Sequence, residues 1–342
     1  MKSYVLPRAM SLAELSARLG ADARELARLN YIDRPGLLPP GLSLALPEKE
    51  ARQRERELFC HMDSSGPVLP RAEAAERLSF VSKAFGAEEG KGEAAPWERD
   101  FCARVREAGA LPVFSLTGLA EPHRLLRDAA GAEEYLAFLT ERLAAAGWGG
   151  LNLAIGGLQP FEREAYNRLA ALVSQLAHER GLWLFVTLPL FESRHSLKTE
   201  NAAYDVAALA RSAERLVLKA PLEDAPGLQR ALEYFCGMAP SGKMLLMGCD
   251  GADTVAGAAD SLSARQASQL AMSRGGRISR SRGGAARAEY SDADGAPCRL
   301  RWADAYYHAC LSRLSENFLL AGEGFCPGSC AVNLSQPGCG PA

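Results

Sequence analysis

Residues 149–167 decide the fold, and they read Gly-Gly-Leu-Asn-Leu-Ala-Ile-Gly-Gly-Leu-Gln-Pro-Phe-Glu-Arg-Glu-Ala-Tyr-Asn. The apolar run at 150–155 predicts a buried strand, because short apolar runs bounded by glycine are typical of strands covered on both faces. Gly156 and Pro160 then predict a loop, and helical spacing begins at Arg163. A buried strand followed by a loop and a helix is the repeating unit of α/β folds.

The same alternation of apolar runs and amphipathic helices continues outward along most of the chain. The runs predict strands over Leu58–Met62, Leu78–Ala84, Leu111–Leu116, Gly150–Ile155, Leu182–Leu188, Leu216–Ala220, Met244–Gly248 and Ala321–Phe325. Helical patterns separate most of them, over Trp97–Ala108, Glu133–Ala146, Arg163–Arg180, Ala202–Ala213, Gly227–Met238 and Asp304–Asn317. This alternation over roughly 270 residues predicts an α/β fold of the (β/α)8 TIM barrel class.

The stretch 149–167 resembles the fourth strand of glycoside hydrolase family 18, in the subgroup of spore cortex-fragment hydrolases (N-acetylglucosaminidases). That strand ends in an Asp-x-Asp-x-Glu motif. In this chain Asn152 stands at the first motif position, Ala154 at the second aspartate and Gly156 at the catalytic glutamate. Cys326 stands where the family has the tryptophan that floors the sugar pocket. The resemblance therefore implies a family 18-like barrel with a degenerate site.

The chemistry of that family depends on the groups that these positions lack. Its glutamate protonates the leaving oxygen while the acetamide of the substrate attacks, a substrate-assisted exception to the two-carboxylate scheme. General acid catalysis alone is worth roughly 10²–10⁴ in rate. The family's tyrosine after strand six is missing too, since Lys-Ala-Pro-Leu occupies 219–222. We therefore expect no catalytic residue here and a non-catalytic, glycan-associated protein, a pseudo-glycosidase.

Two other functions stay open from the sequence alone. One is an active family 18 glycoside hydrolase with a substituted acid, for which the candidates near predicted strand ends are Glu192, Glu223, Asp250 and Glu323. The other is a protein-interaction scaffold without sugar binding. The histidines show no metal-ligand spacing. Only His195, in the loop after the fifth predicted strand, is kept as a candidate site residue among His61, His123, His178, His195 and His308.

Residues 3–47 resemble a LysM domain, a small βααβ unit that binds N-acetylglucosamine-containing glycans. The resemblance rests on a first strand, candidate N-caps at Ser11 and Asp22, and Leu-x-Pro-Gly at 38–41. It implies a sugar groove lined by Ala9, Met10, Ser11, Asn30, Pro39 and Gly41. The family's Gly-Asp-Thr before the first helix is replaced here by Ala-Met-Ser, which changes one wall of that groove.

The predicted domain organisation follows from these two resemblances. It comprises a LysM domain over 1–48, a charged linker over 49–57, a barrel over 58–331 with a small inserted α+β subdomain at about 252–303, and a tail over 332–342. A run of charged residues is typical of a solvated connection. Asp-Gly at 294–295 predicts a hairpin turn inside the insertion independently of any family.

Charge and composition limit the partners. The 342 residues carry a net charge of −2, which gives no bulk argument for nucleic-acid or membrane binding. The uncharged stretch 143–161 is rich in glycine, so a buried strand with loops explains it better than a membrane span. No secretory signal is expected, because no basic and apolar leader precedes the first predicted strand. With the resemblance, this implies synthesis in the cytoplasm and a place at the spore coat or cortex surface.

The expected partners are peptidoglycan or another N-acetylglucosamine-containing glycan and, in addition, spore coat proteins. We expect no cofactor and no metal site, since the cysteines at 326, 330 and 339 lack a standard zinc spacing. Ser273–Arg287 holds five arginines among glycine and serine, which allows an RNA-binding tract. Because no aromatic residue is interleaved, we predict instead an exposed mobile loop that touches anionic wall polymer.

Overall fold

The computed structural model describes residues 2–30, 32, 36–46, 56–62, 78–85, 92–117, 122–190, 203–220, 222, 225–248, 252–255, 264–274, 277–280, 284–291 and 297–325. Every structural statement below concerns these residues.

The N-terminal module is a small α+β unit in which the predicted first strand, two helices and last strand are joined by two further short strands, one on each side of the helix pair. Its elements are β1 (Lys2–Val5), β2 (Met10–Ser11), α1 (Leu12–Leu19), α2 (Ala23–Leu29), β3 (Leu37–Leu38) and β4 (Ser43–Leu46). β1 pairs with β4 and β2 pairs with β3, both antiparallel. The hydroxyl of Ser11 accepts from the backbone N–H of Glu14 at 3.1 Å, which confirms the predicted N-cap of α1.

A closed parallel barrel forms the body of the molecule. Its first seven strands are β5 (Glu57–Met62), β6 (Phe80–Phe85), β7 (Leu111–Thr117), β8 (Gly150–Ala154), β9 (Trp183–Pro189), β10 (Arg215–Lys219) and β11 (Met244–Met247). The strand that closes it is β16 (Gly322–Phe325), between β11 and β5. All eight predicted strands are confirmed, each within two residues at either end.

Helices surround the barrel. They are α3 (Pro96–Glu107), α4 (Pro122–Arg127), α5 (Ala129–Ala146), α6 (Arg163–His178), α7 (Val206–Ser212), α8 (Ala225–Met238) and α10 (Ala305–Asn317). The TIM barrel fold predicted from the alternation is therefore confirmed. The sequence pattern missed α4 and the first turn of α5, where the helix starts from the N-cap Asp128 through a run of alanine and glycine.

Between β11 and α10 the chain forms the inserted subdomain. It comprises β12 (Ala252–Val255), α9 (Ala264–Ser273), β13 (Arg277–Arg280), β14 (Ala286–Ser291) and β15 (Pro297–Trp302), with the antiparallel sheet order β12-β15-β14-β13. The prediction of a mobile loop over Ser273–Arg287 was wrong, because this stretch contains all of β13 and the start of β14. The buried positions in this stretch include Ile278 and Ala286. Because so few apolar residues alternate with the polar ones, the sequence gives only a weak strand pattern.

The N-terminal module and the insertion share one hydrophobic core. The module contributes Leu6, Met10, Leu15, Leu26, Leu38, Leu42 and Leu44, and the insertion contributes Ala267, Ala271, Ile278, Ala286, Ala288, Leu300 and Trp302. At the contact, a Cβ on Gly41 would lie 2.1 Å from the carbonyl oxygen of Ile278, so only glycine fits. A module of this size has a small core of its own, and the shared core compensates for that.

Candidate functional site at the carboxyl end of strand β8

The interior face of β8 carries the first degenerate motif position. Asn152 is buried, its amide donates to the hydroxyl of Ser115 on β7, and its carbonyl accepts from Thr187 on β9 at 3.0 Å. Because side chains alternate along a strand, Ser115 and Thr187 share the interior face with Val113 and Phe185, which lie in a cluster built from six barrel strands. Asn152 therefore ties three neighbouring strands together inside the barrel.

The next two motif positions are open. Ala154 ends β8 on the same face as Asn152 and is half-buried. Gly156 is exposed, and a Cβ placed on it would meet no atom within 4 Å beyond its chain neighbours. The described part of this strand end therefore lacks an acid but keeps the room for one.

The loop after β8 is anchored by buried polar contacts. The hydroxyl of Tyr204 donates to the carbonyl of Ile155 at 3.0 Å. The carboxylate of Glu162, which is 5% exposed, accepts from the backbone N–H of Gln159 at 2.9 Å. Leu158, which lies between Ile155 and Gln159 in the loop, is buried in the main hydrophobic core of the barrel. These contacts hold the backbone of the loop in a defined position beside the empty motif.

The motif residues after the loop support this anchoring. Arg163 pairs with Asp205 at 3.0 Å, and the ring of Tyr166 packs edge-on against that of Tyr204 at 5.8 Å. The backbone N–H of Ala208 is the main cause that lowers the pKa of Asp205, while burial raises the pKa of Tyr204 to about 12. The structure thus brings together the two segments that carry the family resemblance, 163–167 and 204–205. Their contacts with each other stabilise the scaffold.

The neighbouring strand ends offer a cation and a buried phenol. Lys219 ends β10 on the same face as Val217 and is exposed at the barrel mouth. The carbonyl of Ala220, next along the chain, accepts from the hydroxyl of Tyr307 at 3.3 Å. Tyr307 comes from α10 and is fully buried, so its hydroxyl is used in packing the outer layer. It therefore does not replace the family's tyrosine after strand six.

One of the substitute acids faces away from the mouth. The carboxylate of Glu323 on β16 accepts from Arg56 at 2.9 Å and from Ser312 of α10 at 2.9 Å. Since α10 packs outside the barrel, Glu323 lies in the outer layer. The other candidates, Glu192, Glu223 and Asp250, lie outside the described residues, as do His195 and Cys326.

The described histidine side chains have structural surroundings. His61 lies 3.3 Å from the hydroxyl of Ser82 inside the barrel, and His178 lies 2.8 Å from Glu214 on the outer surface. His308 is buried in α10, and burial lowers its pKa to about 4. In the described part of the chain no group of three His, Cys, Asp or Glu side chains is arranged to hold a metal ion.

Most of the predicted groove residues of the N-terminal module make contacts within the fold. The side chain of Asn30 donates to the carbonyls of Leu26 and Ala45 and accepts from the N–H of Ala45. Met10 lies in the shared core, Ser11 caps α1, and Gly41 contacts the insertion through its carbonyl, which accepts from Arg280. Ala9 is exposed, whereas Ser11, Asn30, Pro39 and Gly41 are half-buried, so Ala9 is the most accessible of the six to a ligand.

Arg280 has a structural role that the sequence pattern does not indicate. Besides its contact with Gly41, it pairs with Asp304 at 2.8 Å and lies 5.0 Å from the ring centre of Tyr306. It therefore joins the module, the insertion and the start of α10. No local pattern marks such a junction, because its partners are distant in sequence.

No family model and no curated protein matches this chain. None of the helices in the described ranges has the length and apolar character needed to cross a membrane.

Solved structures do match. The spore cortex-lytic enzyme SleL of Bacillus cereus superposes with a TM-score of 0.66 at 16% identity, covering 97% of this chain and 86% of that chain. SleL of Bacillus megaterium gives a TM-score of 0.67 at 17% identity with the same coverage. A chitinase of Chromobacterium violaceum gives 0.65 at 17% identity over 79% of this chain and 93% of that chain. At these identities the likeness shows the fold, so the chain shares the TIM barrel of spore cortex-lytic enzymes and chitinases.

Proposed function

We propose that this protein is a non-catalytic, peptidoglycan-associated member of the bacterial spore envelope, built on the barrel of a family 18 hydrolase. The observation that carries the proposal is the open end of β8, where Ala154 and Gly156 replace the acids. Among the described residues, the polar groups around it are the amide of Asn152, the hydroxyls of Ser115 and Thr187 and the exposed Lys219. They can hold a ligand, but they do not supply the carboxylic acid that the family's mechanism needs.

The ligand class is proposed from the fold neighbours. Two of them are named as spore cortex-lytic enzymes and one as a chitinase. Spore cortex and chitin are both polymers that contain N-acetylglucosamine. We extend that glycan class, and the spore coat or cortex surface, to this chain. The N-terminal module is proposed as a LysM-type glycan site whose accessible wall includes Ala9 and Pro39. Spore coat proteins are proposed as further partners.

The test uses the full chain with purified spore peptidoglycan and with chitin. The fraction that sediments with each glycan measures binding, and chromatography of the supernatant measures released fragments. We expect sedimentation without release. Fragments that disappear in Glu192→Gln or Asp250→Asn would show an active hydrolase with a substituted acid. A chain that neither sediments nor releases fragments would be an interaction scaffold.

The position of the sugar site is tested by a bulky side chain in the groove. Ala9→Trp should reduce sedimentation with chitin, because the indole would occupy the exposed wall. Ala145→Trp, at an exposed position on the barrel helix α5, is the matched control. Equal sedimentation of the two variants would remove the module groove from the proposal.

A further inference from the structure

Apart from Arg280, the charged residues of the inserted sheet lie in two rows. In the first row Arg277 of β13 lies opposite Glu289 of β14, which lies opposite Arg299 of β15. In the second row Ser279 lies opposite Arg287, which lies opposite Arg301. Directly opposite residues in an antiparallel pair point to the same face of the sheet. Both rows therefore lie on one face.

Burial identifies that face as the exposed one. The residues that alternate with the two rows, among them Ile278, Ala288 and Leu300, are buried in the core shared with the N-terminal module. Arg277, Ser279, Arg287, Glu289 and Arg299 are exposed, and Arg301 is half-exposed. We call the set Arg277, Arg287, Arg299 and Arg301 the arginine face.

The charges on this face are not balanced. Glu289 pairs with Arg299 at 3.1 Å, and the register places Asp253 of β12 opposite Arg301. Arg287 has Ser279 on one side and Arg301 on the other, and like charges directly opposite each other destabilise a sheet. Arg274, at the end of α9, is exposed a few residues before Arg277. The positive excess is therefore concentrated at the β13–β14 edge, in a chain whose net charge is −2.

We propose that the arginine face binds the carboxylates of peptidoglycan peptide stems. All four cations are arginines, whose planar guanidinium binds a carboxylate through two parallel hydrogen bonds. The positions of the two rows hold no aromatic residue on which unpaired bases would stack, so a single-stranded nucleic acid fits this face poorly. The inference rests on the proposed function and adds that the glycan recognised is an acidic one.

The test compares three insoluble glycans: peptidoglycan stripped of phosphate polymers, the same peptidoglycan with its carboxylates amidated, and chitin. The full chain and its R277Q/R287Q variant are sedimented with each at low salt. The matched control is R168Q/R211Q, which removes two exposed arginines from the barrel helices α6 and α7 and changes the net charge equally. Thermal unfolding verifies that all three proteins are folded.

We expect R277Q/R287Q to bind unmodified peptidoglycan roughly two- to thirtyfold more weakly than the control, as two exposed charge contacts predict. Amidation should weaken the full chain similarly, and binding to chitin should not change. Equal binding of R277Q/R287Q and the control, or full-chain binding that amidation does not weaken, would overturn this inference but not the proposed function. Polyuridylate serves as the nucleic-acid probe, and loss of its binding in R277Q/R287Q with unchanged peptidoglycan binding would assign the face to nucleic acid. If the unaltered chain sediments with none of the three glycans, the proposed function itself fails.

Discussion

The two ends of the barrel interior differ in how tightly each residue is held. At the base, Phe59, Phe80 and Phe185 pack with ring centres 5.0–6.4 Å apart. Beneath them Glu57 and Arg215 form a two-pronged ion pair. At the mouth, Ala154 is half-buried and Gly156 meets nothing.

This contrast separates two kinds of constraint. A buried ring at the base is fixed by its neighbours, because interiors are close-packed and a removed side chain leaves a cavity. A carboxylate at the mouth of a hydrolase is needed for chemistry and contributes little to packing. The absence of carboxylates at Ala154 and Gly156 is therefore compatible with a closed barrel and an anchored loop, both of which are observed here.

The base should be sensitive and the mouth tolerant to a change of side-chain size. Phe185→Ala should lower the free energy of unfolding by about 3–5 kcal/mol, since the ring is fully buried. Gly156→Ala should change it by no more than about 0.5 kcal/mol. Urea unfolding followed by circular dichroism measures both. Similar losses in the two variants would mean that the mouth is packed as the base is.

The outer wall near the mouth should be sensitive to acid. Burial lowers the pKa of His308 to about 4 from 6.5, and its ring packs against Gly248 at the end of β11. In this pH range the unfolded chain binds the proton and the folded chain does not, so stability is lost as pH falls from 6.5 to 4. The full loss is on the order of 3 kcal/mol.

His308→Leu should remove this part of the pH dependence. Burial raises the pKa of Asp304, one helical turn away, and that group acts in the opposite direction because its stabilising contribution is lost as pH rises. The measurement is therefore the difference between the variant and the unaltered chain at each pH. His178→Leu, at an exposed position, is the control. A difference that stays constant from pH 7 to pH 4 would contradict the prediction.

The junction of the N-terminal module should be as constrained as the barrel base. Gly41 has φ +81 and its position is closed by Ile278, whereas Gly20 has φ +62 and open space around it. Gly20→Ala should therefore cost about 1–2 kcal/mol for the left-handed backbone alone. Gly41→Ala should cost more and should make residues 2–46 the first target of limited proteolysis. Equal costs would show that the shared core tolerates a shifted module.

The sequence predicted the barrel well because its strands are continuous apolar runs, such as Leu-Val-Leu in β10. The prediction of a small α+β insertion is confirmed by elements over 252–302, but β13 and the start of β14 were not predicted. In β13 and β14 the buried positions are Ile278, Ala286 and Ala288, which are too few and too small to reveal a period of two between arginines. The core shared by the module and the insertion was also missed, because a pattern within one segment does not reveal which distant segment covers it.

The candidate site was predicted in part. The positions of Asn152, Ala154 and Gly156 at a strand end followed from the run itself, and the structure places them there. The bonds of Asn152 to Ser115 and Thr187 were not foreseen, since they depend on the register of three strands. The outward direction of Glu323 was missed for the same reason. A register shift of one residue would move its side chain from the outer face of the barrel to the inner face.

Restoring both acids should have a small effect on stability and none on activity. In Ala154→Asp/Gly156→Glu the new side chains stand at positions two residues apart, with Cα atoms about 7 Å from each other. Position 154 is half-buried, and position 156 has open space around it. We expect unfolding free energy within about 1 kcal/mol of the unaltered chain and no turnover of chitooligosaccharides. A catalytic group must be held to about 0.5 Å by its surroundings, and this sequence has Lys-Ala-Pro-Leu in place of the tyrosine segment and Cys326 in place of the tryptophan.

Fragment analysis by mass spectrometry and thermal unfolding of the double variant provide the measurement. The double variant Ala154→Asn/Gly156→Gln, which has similar side-chain volumes without the charges, is the control. Turnover by the acidic variant alone would show that the mouth still positions a substrate and that the two lost carboxylates account for the whole loss of activity. A large fall in stability in both variants would instead show that the mouth, like the base, is fixed by packing. If neither variant turns over substrate and both remain stable, more than two acids separates this barrel mouth from that of an active hydrolase.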